Sequence, residues 1–284
     1  MYSVAGLTRQ GVWQWSRDRE QRATQVAEIL KHIVKWRKGH PKMGSRPLYY
    51  SILRSGVDLG IGVNKFEQIV REHGLLVGKA KTKKPHSSDG KGKENYDNLT
   101  NGLELTGINQ LIVLDITYIW VEDRWCYIFS LKDVYSQMVF VIPSENMEAK
   151  NALACLDKYV KYHGKEAVKG CIHHSDNGSQ YNWQAYKEAL KAYGMRISRA
   201  RQCKENGSSE QSHHICKNMY LEPWQIKTYE QLEKACQKFM DKNNRERAIK
   251  QLGYLTPYKF EQKLKEIPME QRKRKQMHDF DNTT

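Results

Sequence analysis

Three acidic residues stand where neutral or apolar side chains would be expected. Asp115 lies inside the apolar run Leu111-Ile112-Val113-Leu114-Asp115-Ile116-Thr117-Tyr118-Ile119-Trp120. Asp176 sits at the end of Val168–His174, which reads as a short buried strand, and is followed by Asn177-Gly178. Glu210 falls near the start of a segment with helical character. A carboxylate within a strand is costly to bury unless it is paired or holds a cation. Strand ends in α/β sheets are where sites are built. Three converging carboxylates would offer hard oxygen ligands to Mg²⁺, which keeps water and phosphate in its remaining positions. Two such ions ~3.5–4 Å apart can activate an attacking oxygen and stabilise a leaving one in phosphoryl transfer. Singly, each acid has an ordinary explanation as an edge residue or a turn cap. It is the set that points to chemistry. Glu205 is the rival for the third place, since on a helix it would point to a different face from Glu210.

Neighbouring residues carry weaker signals. Asp133 reads as an exposed strand-end acid rather than a fourth member of the site. His173 and His174 alternate faces on a strand, so at most one could approach bound metal, and a packed or solvent-facing role is expected. Tyr118 and Trp120 share a face with Ile116, opposite Asp115, and are expected in the core rather than stacked on a ligand. Arg196, Arg199, Arg201 and Lys204 form a basic stretch ahead of Glu210 that could hold phosphates. Asn177, Gly178, Gln180 and Asn206 are candidates for shaping the loops that carry the acids. Cys203, His213, His214 and Cys216 lie close together, but their spacing fits no common structural zinc site.

The elements that must position these residues can be read from periodicity. Residues 111–120, 125–131 and 137–143 read as three strands joined by short turns, hence antiparallel. An amphipathic helix follows over 149–163, then a buried strand ending on Asp176, a helix over 183–193 and a short strand at 195–198. Helices over 208–221 and 229–243 complete an α/β layer fold with a mixed sheet. Ahead of it, Val26, Ile29, Leu30, Ile33 and Val34 mark one helix, Tyr49, Ile52 and Leu53 a second, and Val63, Phe66, Ile69 and Val70 a third closed by Gly74. Short helices joined by Gly-containing turns suggest a helix-turn-helix-like module.

Charge and composition narrow the class. The 284 residues hold 47 Lys and Arg against 32 Asp and Glu, a net +15. Of that excess, +7 lies in residues 1–78 and +4 in residues 79–94, whereas the following segment is nearly neutral. A polyanion, nucleic acid above all, is the expected partner of the front third. No run approaches the ~20 apolar residues of a membrane span, and the opening residues lack the pattern of a signal peptide. Six dispersed cysteines without a paired motif suggest reduced cytosolic thiols.

The blocks around the three acids resemble a known family. Leu114-Asp115-Ile116-Thr117-Tyr118-Ile119, His173-His174-Ser175-Asp176-Asn177-Gly178-Ser179-Gln180-Tyr181 and Glu205-Asn206-Gly207-Ser208-Ser209-Glu210 look like the signature blocks of DDE transposases with a retroviral-integrase-type core. The insertion sequence 3 family, second-reading-frame product, is the subgroup it resembles over nearly the whole chain. His40-Pro41-Lys42-Met43-Gly44-Ser45-Arg46, Arg71–Val77, Asn243-Asn244-Arg245 and Leu252–Pro257 carry further likeness. The resemblance implies an RNase H-like catalytic core over 105–265, a mixed five-stranded sheet with flanking helices. Ahead of it come an all-helical DNA-binding region over 1–78 and a basic linker over 79–104, and behind it a basic tail over 266–284. It assigns Asp115, Asp176 and Glu210 as catalytic ligands of two Mg²⁺ or Mn²⁺. It implies cleavage at terminal inverted repeats and transfer of the freed 3′-OH to target DNA. Arg46, Lys65, Arg71, Lys81, Lys83, Lys84, Arg199, Arg201 and Lys204 are the expected DNA contacts. A homo-oligomer on double-stranded DNA, a bacterial cytoplasmic setting, and a partner or fusion from an upstream helix-turn-helix frame are implied as well. The Met1 start fits the unfused form. The alternatives are a catalytically impaired, domesticated relative that binds DNA, and an RNase H-like nuclease that cuts without joining.

Overall fold

In the computed structural model, residues 8–78, 96–176, 178–200, 205 and 207–279 are described. Contacts divide the chain into two compact units, Met1–Gly78 and Lys79–Thr284.

The first unit is helical: α1 (Arg9–Gly39), α2 (Ser45–Arg54) and α3 (Val63–Glu72). Thr8 Oγ1 accepts from Gly11 N–H at 3.0 Å and caps α1, satisfying one of the donors a helix start leaves orphaned. α1 is far longer than its apolar stripe. Only its C-terminal part, through Ile29 and Ile33, packs against Leu48, Ile52, Phe66, Ile69 and Val70 of the other two helices. Gly74, at φ +66°, ends the third helix in the left-handed region that favours glycine.

The second unit is built on β2 (Leu111–Val121), β3 (Arg124–Asp133), β4 (Val139–Ser144), β5 (Ile172–Ser175) and β6 (Arg196–Arg199). They lie in the order β4-β3-β2-β5-β6. The β2–β3 and β3–β4 pairs are antiparallel, and the β2–β5 and β5–β6 pairs parallel. This is the expected mixed five-stranded sheet of an RNase H-like fold. Glu122 and Asp123 both take positive φ, 52° and 55°, giving the two-residue turn whose twist matches a tight hairpin.

Each face of the sheet is covered, as an α/β layer requires. On one face α4 (Ala149–His163) and α5 (Gln184–Ala192) bring Leu156, Tyr159, Tyr186 and Leu190 against Ile112, Leu114, Phe129 and Leu131. On the other, α6 (Gly207–His213) runs into a π-helical stretch, His214–Leu221, and is followed by α7 (Tyr229–Asp241). Cys216, Tyr220, Leu232 and Phe239 there pack against Ile119, Val121, Ile128 and Val141.

Three expectations change. Tyr118 and Trp120 are not core: they are 46% and 53% exposed. The β2–β3 hairpin outruns the helices that cover this face, whose packing on β2 fades at Ile116. The basic segment after residue 265 is not a free tail over its described part. β1 (Glu104–Leu105) pairs with β7 (Lys275–Gln276), Arg272 donates to the Leu264 and Ile267 carbonyls at 2.9 Å, and Lys275 Nζ donates to the Val134 carbonyl at 2.6 Å. These cations find backbone acceptors that α8 (Pro257–Leu264) and the β3–β4 connection leave open. Asp133 is fully buried. It accepts from the backbone N–H groups of Asn109, Tyr135 and Ser136 and from Tyr159 Oη. The five described cysteines are free and buried. Among the described residues no helix is long and apolar enough to cross a membrane.

Candidate active site

Asp115 sits where the sheet opens. β5 pairs with β2 from Leu111 to Val113, and beyond Val113 no strand among the described residues pairs with that side of β2. The other side continues, with Asp115 opposite Ser130. Its Oδ1 accepts from Ile116 N–H at 2.8 Å. Asp176 follows β5 directly, and its Oδ1 accepts from Gly178 N–H at 3.0 Å, closing a turn. Gly178 has no side chain to displace the Gln180 amide lying against it. The parallel β2–β5 pairing thus delivers both carboxylates just beyond the end of the ladder the two strands share, Asp115 from within β2 and Asp176 from directly after β5.

Their electrostatics show that they are close to one another and poorly solvated. Burial pushes Asp115 from 3.8 up to about 7, and the negative charge of Glu210 adds to the rise. Burial, and then the charge of Asp115, also raises Asp176. Such mutual repulsion is relieved by a proton or by a cation. Glu210 lies in the first turn of α6 and is exposed. Glu205, the rival, instead accepts from Asn98 Nδ2 at 2.9 Å. Among the described residues no three acidic, histidine or cysteine side chains form a ready-made metal cage. What is present is a pair of half-buried carboxylates with a third in Coulombic reach, a hard-oxygen set that suits an ion retaining water and phosphate ligands.

One turn beyond Glu210, His213 brings Nδ1 to 3.6 Å from Asp115 Oδ2. Burial holds its imidazole down to about 4, so it is neutral at ordinary pH. Lys217 is one further turn along and places Nζ 4.8 Å from the centroid of the Tyr118 ring. Sequence reasoning weighed His213 only as a zinc ligand and did not single out Lys217. The i, i+3, i+7 spacing from Glu210 was the available signal, since those positions share a helix face. α6 is itself seated by Ser212, whose Oγ lies 3.3 Å from Ser130 Oγ. Lys132 Nζ donates to the Ser208 carbonyl at 3.4 Å and to Gln211 Oε1 at 3.3 Å. Burial lowers the Lys132 ammonium to about 7.

Arg199, expected to hold phosphate, is 1% exposed. Its guanidinium donates to Ser175 Oγ at 2.9 Å and to the Tyr181 carbonyl at 3.0 Å, and it lies over the rings of Tyr96 and Tyr181. It braces the segment carrying Asp176 from beneath, because β6 turns its side chain inward at the sheet edge. His173 and His174 are both buried. His173 Nε2 lies 2.8 Å from Tyr186 Oη, and His174 Nδ1 lies 2.9 Å from Ser198 Oγ. In the first unit Arg46 forms a two-pronged pair with Glu67, at 2.7 and 3.1 Å, so its charge is largely compensated. Lys65 and Arg71 are exposed. Lys81, Lys83, Lys84, Asn177, Arg201, Lys204 and Asn206 lie outside the described residues.

The integrase core domain model matches residues 106–204, a span that takes in Asp115 and Asp176 and stops before Glu210. A 31 kDa protein of insertion element IS600 from Shigella sonnei is 25% identical over 273 residues, covering 93% of this chain and 98% of the relative. The transposase for insertion sequence element IS629, also from Shigella sonnei, is 25% identical over 244 residues, 84% of this chain and 80% of the relative. Among solved structures, the HTLV-2 integrase catalytic core domain in complex with magnesium aligns with a TM-score of 0.45 and 16% identity. It covers 58% of this chain and 99% of that one.

Proposed function

We propose that this chain, a DDE-type transposase with an integrase core by its domain match and its insertion-element relatives, cleaves one strand at the ends of its element and joins the freed 3′-OH to target DNA. The observation that supports this most is the Asp115–Asp176 pair: two carboxylates just past the end of the β2–β5 ladder, both held above the ordinary carboxylate range by burial, Asp115 further by the charge of Glu210 and Asp176 further by the charge of Asp115. Asp115, Asp176 and Glu210 would hold two Mg²⁺ or Mn²⁺ ions. Bound there, the ions would supply charge neutralisation at the phosphate and a lowered pKa for the attacking oxygen.

The residues of the chain prepare that site. The backbone N–H groups of Ile116 and Gly178 fix the rotamers of Asp115 and Asp176 by taking one oxygen of each. His213, uncharged, packs beside Asp115 without neutralising it. Arg199 keeps the base of the Asp176 loop rigid. Lys132 and Ser130 hold the first turns of α6 against the sheet, so that Glu210 stays beside Asp115. The excess charge of the first 94 residues, outside the segment that carries the three acids, would supply DNA affinity through Lys65, Arg71 and the lysines that follow. Assembly as a homo-oligomer on paired DNA ends, with or without an upstream-frame partner, belongs to the same reading.

A strand-transfer assay on terminal-repeat DNA with Mg²⁺ tests the proposal. Joined product is the expected result, abolished in Asp115→Asn and Asp176→Asn proteins that still bind DNA. Binding without cleavage would identify an impaired relative, and cleavage without joining a nuclease. Joining by the Asp176→Asn protein would refute the ligand assignment.

A further inference from the structure

Tyr118, Trp120 and Trp125 form a contiguous aromatic surface at the end of the β2–β3 hairpin. Trp120 and Trp125 are directly opposed across the ladder, and Tyr118 lies on the same face. Ring centroids are 4.9 Å apart for Trp120–Trp125 and 5.0 Å for Tyr118–Trp125, with interplanar angles of 78° and 85°. All three are 46–53% exposed. Single exposed aromatics are ordinary, but a cluster of three large rings left in water is a signature of a surface that meets something. The near-perpendicular packing prevents the rings from covering one another. The paired strands hold them in place before any ligand arrives, so little ordering cost remains for binding.

We propose that this cluster is a stacking platform for unpaired bases of the DNA strand next to the bond being cut. The idea rests on the transposase reading above. Position is the first argument. Tyr118 and Trp120 follow Asp115 by three and five residues on one strand, or about 10 and 17 Å at ~3.3 Å per residue. At ~3.4 Å per nucleotide along a duplex strand, that is about three to five nucleotides from the metal-binding acids. The open edge of β2 is the second. Asp115 faces α6 and Tyr118 faces the other way, but beyond Val113 no ladder among the described residues separates the two faces. Lys217, on the α6 side, already reaches the Tyr118 ring across that edge. Asp115 lies beside His213, Lys217 follows His213 by four residues, and Lys217 meets the Tyr118 ring that opens the aromatic cluster.

Charge gives the occupant a direction. The inner rim of the aromatic surface, toward Asp115, carries the Lys217 cation, placed for a backbone phosphate of a strand leaving the acids, whereas the outer rim at the hairpin tip carries Glu122, Asp123 and Arg124, the last paired with Glu122 and Glu145. Bases pulled out of the duplex would then meet the rings. Stacking on aromatic side chains is tolerant of sequence and depends on the base being unpaired. Distortion of the end next to the scissile bond is what would supply such bases.

The test uses the full chain in EDTA, so that its outcome does not depend on catalysis. Fluorescein-labelled oligothymidylate and a fluorescein-labelled duplex of mixed sequence are the two probes, read by anisotropy. The Trp120→Ala/Trp125→Ala protein should bind the single strand about tenfold or more weakly, the loss expected from ~1–3 kcal/mol per stacked base, and the duplex within about twofold of the parent. Trp120→Phe/Trp125→Phe should retain most single-strand affinity. Oligothymidylate carrying 5-iodouracil should crosslink on irradiation to the peptide containing Tyr118, Trp120 and Trp125 in the unaltered protein, a readout that needs no variant to fold. Unchanged single-strand affinity together with crosslinks elsewhere overturns the proposal. Conversion of a dimer to a monomer in sedimentation, with single-strand binding intact, overturns it in favour of a contact with a second copy. Loss of strand transfer in the assay above, with stacking intact, would instead count against the catalytic reading alone.

Discussion

Replacing Asp115 by Asn removes one carboxylate oxygen at nearly constant volume, and its consequence can be worked from the protonation equilibrium. In the fold Asp115 titrates at about 7, against 3.8 for an ordinary aspartate, because burial and then the Glu210 charge disfavour its ionised form. The folded state therefore holds the proton to higher pH than the unfolded chain. Between those values it binds more protons, and stability falls as the pH rises, flattening above about 7. By about pH 8 the accumulated cost is about 4 kcal/mol. The Asn variant carries no such slope. It should match the parent near pH 4 and exceed it by up to ~4 kcal/mol at about pH 8 in metal-free buffer. Mg²⁺ should reverse the ranking. A dication bound to the ionised site stabilises the parent by mass action, increasingly so as the pH rises, and the variant hardly at all. Urea unfolding followed by circular dichroism, with and without Mg²⁺ across this pH range, measures both effects. Parallel pH curves for the two proteins, or an equal response to Mg²⁺, would show that Asp115 is neither the strained group nor a ligand.

Other outcomes follow from the same geometry. Glu210→Gln should move the Asp115 midpoint downward, because its charge is one cause of the rise, and should lower strand cleavage at least about a hundredfold; Glu205→Gln, whose carboxylate is bound to Asn98, should do neither. His213→Ala should weaken Mg²⁺ affinity about tenfold, as removal of a group that orients a ligand does, with the circular dichroism spectrum unchanged; equal affinity in a calorimetric titration would leave His213 as mere packing. Arg199→Ala should lower the unfolding free energy by about 2–4 kcal/mol by stranding Ser175 Oγ and the Tyr181 carbonyl. Arg199→Lys should recover little of it, since one ammonium cannot span both acceptors. A variant as stable as the parent in urea would contradict that account.

Much of this protein is fixed by local pattern. The alternation and turn residues of 111–143 imposed three antiparallel strands, and the helical stripe of residues 149–163 gave α4 to the residue. The order of acids along the chain matched the order of elements that bring Asp115, within β2, and Asp176, directly after β5, onto neighbouring strands. These are properties of a few consecutive residues: side-chain period, turn propensity and an acid where an apolar residue belongs. Covering is different, because it depends on which distant element arrives and how far it extends. β2 reads as equally apolar along its length, yet the helices reach only to about Ile116, so Tyr118 and Trp120 face water. Arg199 carries the same charge as any surface arginine, but β6 turns it inward onto Ser175 and the Tyr181 carbonyl. Asp133 looked like a strand-end acid until Asn109, Tyr135 and Ser136 brought their N–H groups to it. His213 became part of the site only when α6 docked on Ser130 and Lys132. The sequence by itself decided which groups could do chemistry and in which elements they sit. The tertiary structure decided which of them are dry, which are paired and which face a ligand, because desolvation and charge pairing are set by neighbours far away along the chain.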